Sequence, residues 1–160
     1  MACTKSLFII DGPSGALEMQ LDCPESESHV LRHGLSGGIA VIAHPHPLYG
    51  GTMNNKVVHY LAGTLTRLGM PALRFNFRGV GKSEGEYADG TGEVDDLLAA
   101  VEWLQQQFPG RPLWMAGFSF GAYVALQASL KVKPEQLITV APPVNIFDIT
   151  SLPELSVPWL

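Results

Sequence analysis

Ser119 stands at the centre of Gly117-Phe118-Ser119-Phe120-Gly121, the spacing of a G-x-S-x-G pentad. A serine serves as a nucleophile where its hydroxyl stands clear of neighbouring backbone, beside donors that stabilise the anion created by its attack. The flanking residues supply that setting. The apolar run 113–116 reads as a strand, and Ala122, Ala125, Leu126 and Ala128 follow with helical character. Strand, tight turn and helix in that order predict that Ser119 projects from the junction into solvent. Gly117 and Gly121 lack a Cβ where backbone must pass closely. The first N–H groups of a helix have no intrahelical partner, so the Phe120 N–H is the natural first donor to an oxyanion.

The rest of the chain reads as scaffolding for that turn. Residues 39–43, Ile-Ala-Val-Ile-Ala, are continuously apolar, as expected of a strand buried on both faces of a parallel sheet. They lead into His44-Pro45-His46-Pro47-Leu48-Tyr49-Gly50-Gly51. Val57, Leu61, Leu65 and Leu68 then line one face of a helix that stops at Gly69. A strand over 72–77 delivers the loop Arg78-Gly79-Val80-Gly81-Lys82-Ser83. A second amphipathic helix follows, marked by Val94, Leu97, Leu98, Val101, Leu104 and Phe108. Glu93, Asp95 and Asp96 in its first turn read as solvated carboxylates suited to the helix dipole. Residues 137–141 form a further strand. At the other end of the chain, residues 6–10 and 16–21 read as an antiparallel hairpin at one edge of the sheet. Strand and helix alternate over the whole length, so residues 1–160 are expected to form a single α/β domain with a largely parallel sheet.

Composition narrows the partners. The net charge is −5 and the ten basic residues are scattered, which argues against a nucleic-acid surface. Cys3 and Cys23 are too few for a disulfide framework and suit a reducing cytoplasm. The apolar run 7–10 is too short for a signal peptide or a membrane helix. A cytoplasmic protein with no membrane partner is therefore the expectation. His29 and His33 have a helical metal-ligand spacing, but Gly34 and Gly37-Gly38 argue against a helix there.

Other motifs are incomplete. Gly81-Lys82-Ser83 ends like a phosphate-binding loop, yet its first glycine would fall at Asn76, inside a strand. Gly79 and Gly81 begin a dinucleotide fingerprint whose third glycine would fall at Glu84. His44 and His46 at a strand end resemble a metal-binding pair, but no histidine follows His59 to complete a site.

Three motifs in order, His44-Pro45-His46-Pro47 with Gly50-Gly51, Arg78 to Ser83, and the pentad at Ser119, make the chain resemble the α/β-hydrolase superfamily over essentially its whole length. The likeness is to its small, lid-poor bacterial members related to dienelactone hydrolases and Xaa-Pro peptidase-like hydrolases. It implies a three-layer fold and a serine hydrolase acting on a small ester, thioester or related acyl substrate through an acyl-enzyme at Ser119, with no cofactor. It also implies that the His-Pro loop gives the second oxyanion donor. Pro45 and Pro47 have no N–H, which leaves His46 and Leu48, and the His46 N–H is preferred. Leu48 and Tyr49 would wall the acyl pocket, and the loop from Arg78 would pack beneath the site.

The resemblance also implies an acid and then a histidine downstream of Ser119. No histidine occurs there; the acids are Glu135, Asp148 and Glu154. Asp148 is the acid nearest to such a place, although a loop cap suits it better. His44 or His46 swinging in as the base is a weaker alternative. The expectation is that the chain stops early, with the last strands of the sheet missing and residues 157–160 opening the next one. Residues 137–141 would then form an exposed strand edge open to self-association. The competing functional class is a catalytically incompetent remnant or a binding module that works through this edge.

Overall fold

The computed structural model describes residues 3–25 and 37–160. The His29 and His33 pair considered as metal ligands lies outside the described residues. Among them, one sheet holds β1 (Ser6–Gly12), β2 (Gly15–Asp22), β3 (Ile39–Ala43), β4 (Ala72–Phe75), β5 (Leu113–Phe118) and β6 (Gln136–Val140), in the spatial order β1-β2-β4-β3-β5-β6. The hairpin β1–β2 is antiparallel, with Ser6 opposite Leu21 and Gly12 opposite Gly15, and β2 runs antiparallel to β4. All pairings from β4 through β3 and β5 to β6 are parallel. The strands reach closer to the hairpin turn than the sequence suggests, because Pro13 and Ser14 alone make the turn.

Strand alternation sorts the core into two layers. Ala40 and Ile42 face α1 (Lys56–Arg67) together with Ala72 and Ala116, and meet Val58, Ala62 and Leu65. Ile39, Val41 and Ala43 face the opposite layer, where α2 (Thr91–Gln107) and α3 (Phe120–Val132) supply Leu97, Val101, Leu104, Val124 and Leu126. All five residues of β3 are fully buried, as a central parallel strand requires. The result is the three-layer α/β sandwich with an antiparallel hairpin on one flank. Asn55 starts α1 by accepting the Val57 N–H through its side chain at 2.9 Å.

Three sequence expectations are corrected. Glu93 and Asp96 are not solvated: both are 0% exposed. The Glu93 carboxylate accepts the Ala88 and Gly90 N–H groups, each at 2.8 Å. Asp96 takes a forked bond from Arg78, Nη2 to Oδ1 at 2.9 Å and Nε to Oδ2 at 3.1 Å. Only Asp95 of the three is exposed. Cys3 and Cys23 are joined in a disulfide across the open end of the hairpin. Finally, residues 137–139 are not a bare edge. The Leu137 N–H donates to Pro158 O at 2.9 Å, the Leu160 N–H to Leu137 O at 2.9 Å and the Thr139 N–H to Leu160 O at 2.8 Å. Residues 158–160 run alongside β6 and cover it, with a parallel bridge between Leu137 and Trp159. Among the described residues, no helix is long and apolar enough to cross a membrane.

Candidate active site

β5 ends at Phe118 and α3 begins at Phe120, so Ser119 alone makes the turn. Its backbone sits at φ 55°, ψ −117°, a conformation that L residues rarely adopt and that costs on the order of 1–3 kcal/mol. The surroundings hold it there. The Ser119 N–H donates to Val140 O at 2.9 Å, and the Ser119 carbonyl accepts from Ala122 N–H at 2.9 Å and Tyr123 N–H at 3.3 Å. The two glycines of the pentad are required by close packing. A Cβ on Gly117 would lie 2.2 Å from Gly121 O, and one on Gly121 would lie 2.3 Å from Ala43 O and 2.6 Å from His44 O. The second contact brings the start of α3 against the end of β3, which places the elbow beside the His-Pro loop.

In that loop the two histidines differ. His44 is fully buried, its Nε2 accepts the Phe77 N–H at 3.0 Å, and its Nδ1 lies 2.6 Å from Pro45 O. Nε2 must therefore be the unprotonated nitrogen, with the proton on Nδ1. Burial lowers its pKa to about 4, against a smaller opposing effect of the Pro45 bond. Both ring nitrogens of His44 are thus taken up within the fold.

His46 is half-buried and carries the opposite tautomer. Its Nδ1 accepts the Leu48 N–H at 3.2 Å, so the proton is on Nε2, which lies 3.2 Å from Tyr87 Oη. Its carbonyl accepts from Tyr49 and Gly51 N–H at 3.1 and 3.0 Å. Burial pushes its pKa below the ordinary histidine value, opposed by the charges of Glu93 and Asp89. Its ring packs 4.9 Å from the Phe120 ring and 4.7 Å from that of Tyr49. Among the described residues, neither the His46 N–H nor the Phe120 N–H donates to a protein group. Leu48 and Tyr49 lie in a short 3-10 turn, Pro47–Tyr49, and are 65% and 85% exposed.

The loop after β4 is tied into the fold by polar contacts. Asn76 Nδ2 and the Lys82 N–H both donate to Glu18 Oε2 at 2.8 Å, Ser83 Oγ donates to Asn76 O at 2.7 Å, and Arg78 pairs with Asp96. Asp148 is exposed, and its Oδ1 accepts from the Thr150 hydroxyl, Thr150 N–H and Ser151 N–H, a purely local turn. Those bonds, the Thr150 hydroxyl first, hold its carboxyl below the usual range. His59 lies on α1 and lines a cavity of about 680 Å³ with Lys5, Asp22 and Arg67; Ser119 does not line it. No sequence pattern points to Tyr87, which sits in the polar connection between β4 and α2 and meets His46 only in the fold.

A strained serine between a parallel strand and a helix, in a sheet of this order, is the architecture of the α/β serine hydrolase fold. Residues 46–160 match the family described as serine aminopeptidase, S33, and the chain belongs to that family. It is similar to an α/β serine hydrolase homologue from Coxiella burnetii, with 45% identity and a TM-score of 0.88, covering 99% of this chain and 73% of that one. It is also similar to a serine hydrolase without a lid from Xanthomonas campestris, with 39% identity and a TM-score of 0.86, covering 99% of this chain and 70% of the other. An uncharacterized protein of Rickettsia prowazekii is 48% identical over 110 residues, 67% of this chain. The match spans 46% of the length of that Rickettsia protein.

Proposed function

We propose that the protein is an esterase-like serine hydrolase that cleaves a small ester, thioester or related acyl substrate through an acyl-enzyme at Ser119. The observation that supports this is the backbone of Ser119, held at φ 55°, ψ −117° in the single-residue turn between strand and helix, a strained region of the kind that clusters at functional sites. In this mechanism Ser119 Oγ attacks the acyl carbon, and the carbonyl oxygen becomes an anion. The Phe120 and His46 N–H groups receive that anion, and both are free to do so. Leu48 and Tyr49 line the acyl side. The leaving group departs, and water then releases the acyl group. The Ser119 proton passes to a base outside the described residues: His44 and His46 have both ring nitrogens engaged, and His59 is on another face.

The test is labelling of the natively expressed protein with a fluorophosphonate, which phosphonylates an activated serine and releases fluoride. Labelling that disappears in Ser119→Ala supports the proposal. A folded protein that takes no label overturns it and leaves the non-catalytic class. The intact mass of the labelled species, set against 17.3 kDa for the 160 residues, reports whether further chain accompanies the base.

A further inference from the structure

We propose that Tyr87 is a positioning residue: its hydroxyl oxygen accepts the Nε2 proton of His46 and so holds the His46 backbone N–H in place beside Ser119. This rests on the assignment of that N–H as an oxyanion donor. The hydrogen-bond account of His46 points to it. Nδ1 takes the Leu48 N–H, the carbonyl takes two N–H groups, and Nε2–H goes to Tyr87 Oη. Every polar group of the residue is consumed within the protein except the backbone N–H. A residue whose purpose was proton transfer would aim a ring nitrogen at the serine hydroxyl instead.

The ring is also clamped by carbon. The centroids of Tyr49, Tyr87 and Phe120 lie 4.7, 4.9 and 4.9 Å from that of the imidazole, and Tyr87 and Phe120 are 5.9 Å apart. Phe120 supplies the other proposed donor, so one aromatic cluster contacts both sides of the hole. Tyr87 itself is fixed from behind. The buried Glu93 carboxylate binds the Ala88 and Gly90 N–H groups immediately after it, and Arg78 at the start of the same loop is forked onto Asp96. α2 thereby anchors the acceptor that orients His46. Around the imidazole, the ionisable groups are Tyr87 and Tyr49 by ring contact and Glu93 and Asp89 by charge.

Two measurements on the whole protein test this. In nitrogen-edited NMR, the wild-type His46 ring is expected as a single neutral tautomer with an observable Nε2 proton. Tyr87→Phe is expected to lose that proton to solvent exchange and to move the His46 amide resonance, with the melting temperature unchanged. An Nδ1-protonated ring, or a His46 amide that does not move, overturns the proposal. The second measurement is fluorophosphonate labelling. Tyr87→Phe is expected to lower the maximal phosphonylation rate about tenfold, a fraction of the loss seen on deleting an oxyanion donor, with affinity for the probe unchanged. His46→Asn keeps an acceptor for the Leu48 N–H and lacks the Nε2 proton; in that background Tyr87→Phe is expected to add nothing. Additive effects overturn the proposal. A wild type with the NMR signature but no labelling overturns the catalytic assignment of Ser119 and leaves the clamp standing.

Discussion

The Phe77 N–H points at His44 Nε2 from 3.0 Å, so a proton added to that nitrogen would meet another donor in a site with no water-facing surface. With Nδ1–H already directed at Pro45 O, the ring is stable only as the neutral form. The folded pKa of about 4 lies below the ordinary value of 6.5, so between them the unfolded chain binds the extra proton. The contribution is fully present above about pH 6.5 and is lost as the pH falls toward about pH 4, with a magnitude of roughly 3 kcal/mol. Urea midpoints measured across this window are expected to fall with acidity in the wild type. The His44→Gln variant is expected to show a flatter profile.

Gly121→Ala is expected to destabilise the fold by about 2–3 kcal/mol or more, because the new methyl group meets backbone at the end of β3 and no rotamer can relieve it. The atoms concerned are Ala43 O and His44 O. Denaturant unfolding reads the loss, and fluorophosphonate labelling at low temperature reads the displacement of Ser119. A variant as stable as wild type contradicts the packing described.

Asp96→Asn leaves the Arg78 guanidinium facing a neutral partner in a nearly closed site, since the Asp96 side chain is only 1% exposed. Breaking such a pair costs on the order of 3–5 kcal/mol. Arg78→Lys is expected to recover little of it, because a single ammonium cannot reproduce the fork to both carboxylate oxygens and the bond to Gly92 O. Paired unfolding curves of the two variants check this.

Reduction of the Cys3–Cys23 bond opens a loop with a sequence separation of 20. The wild type is expected to lose about 3 kcal/mol of stability in reductant. Cys3→Ser is expected to be insensitive to reductant; equal melting curves for the wild type with and without it would argue that the bond contributes nothing.

Much of this architecture was legible from periodicity. The run 39–43 announces a strand buried on both faces, and all five residues are. The pentad foretold the elbow because close packing leaves no choice of residue at Gly117 and Gly121. Burial of carboxylates was not legible: an acid in the first turn of a helix has the same pattern whether it meets water or, like Glu93, two backbone N–H groups. The disulfide had a signal that residue counts hide. Extending the hairpin register three places back from Ser6 and forward from Leu21 sets Cys3 opposite Pro24, adjacent to Cys23. Tyr87 left no trace, since its partner is 41 positions away and no periodicity links two loops.

The contact of Gly121 with the end of β3 makes the turn at Ser119 a poor candidate for transplantation. A pentad grafted onto another strand–helix junction would carry the serine turn without the carbonyls of Ala43 and His44 that its helix leans on. The loop bearing Leu48 and Tyr49, by contrast, stands out in solvent. Substitution of the Leu48 side chain would vary that exposed face while keeping the Leu48 N–H on His46 Nδ1, whereas Tyr49 is tied to His46 by both its N–H and its ring.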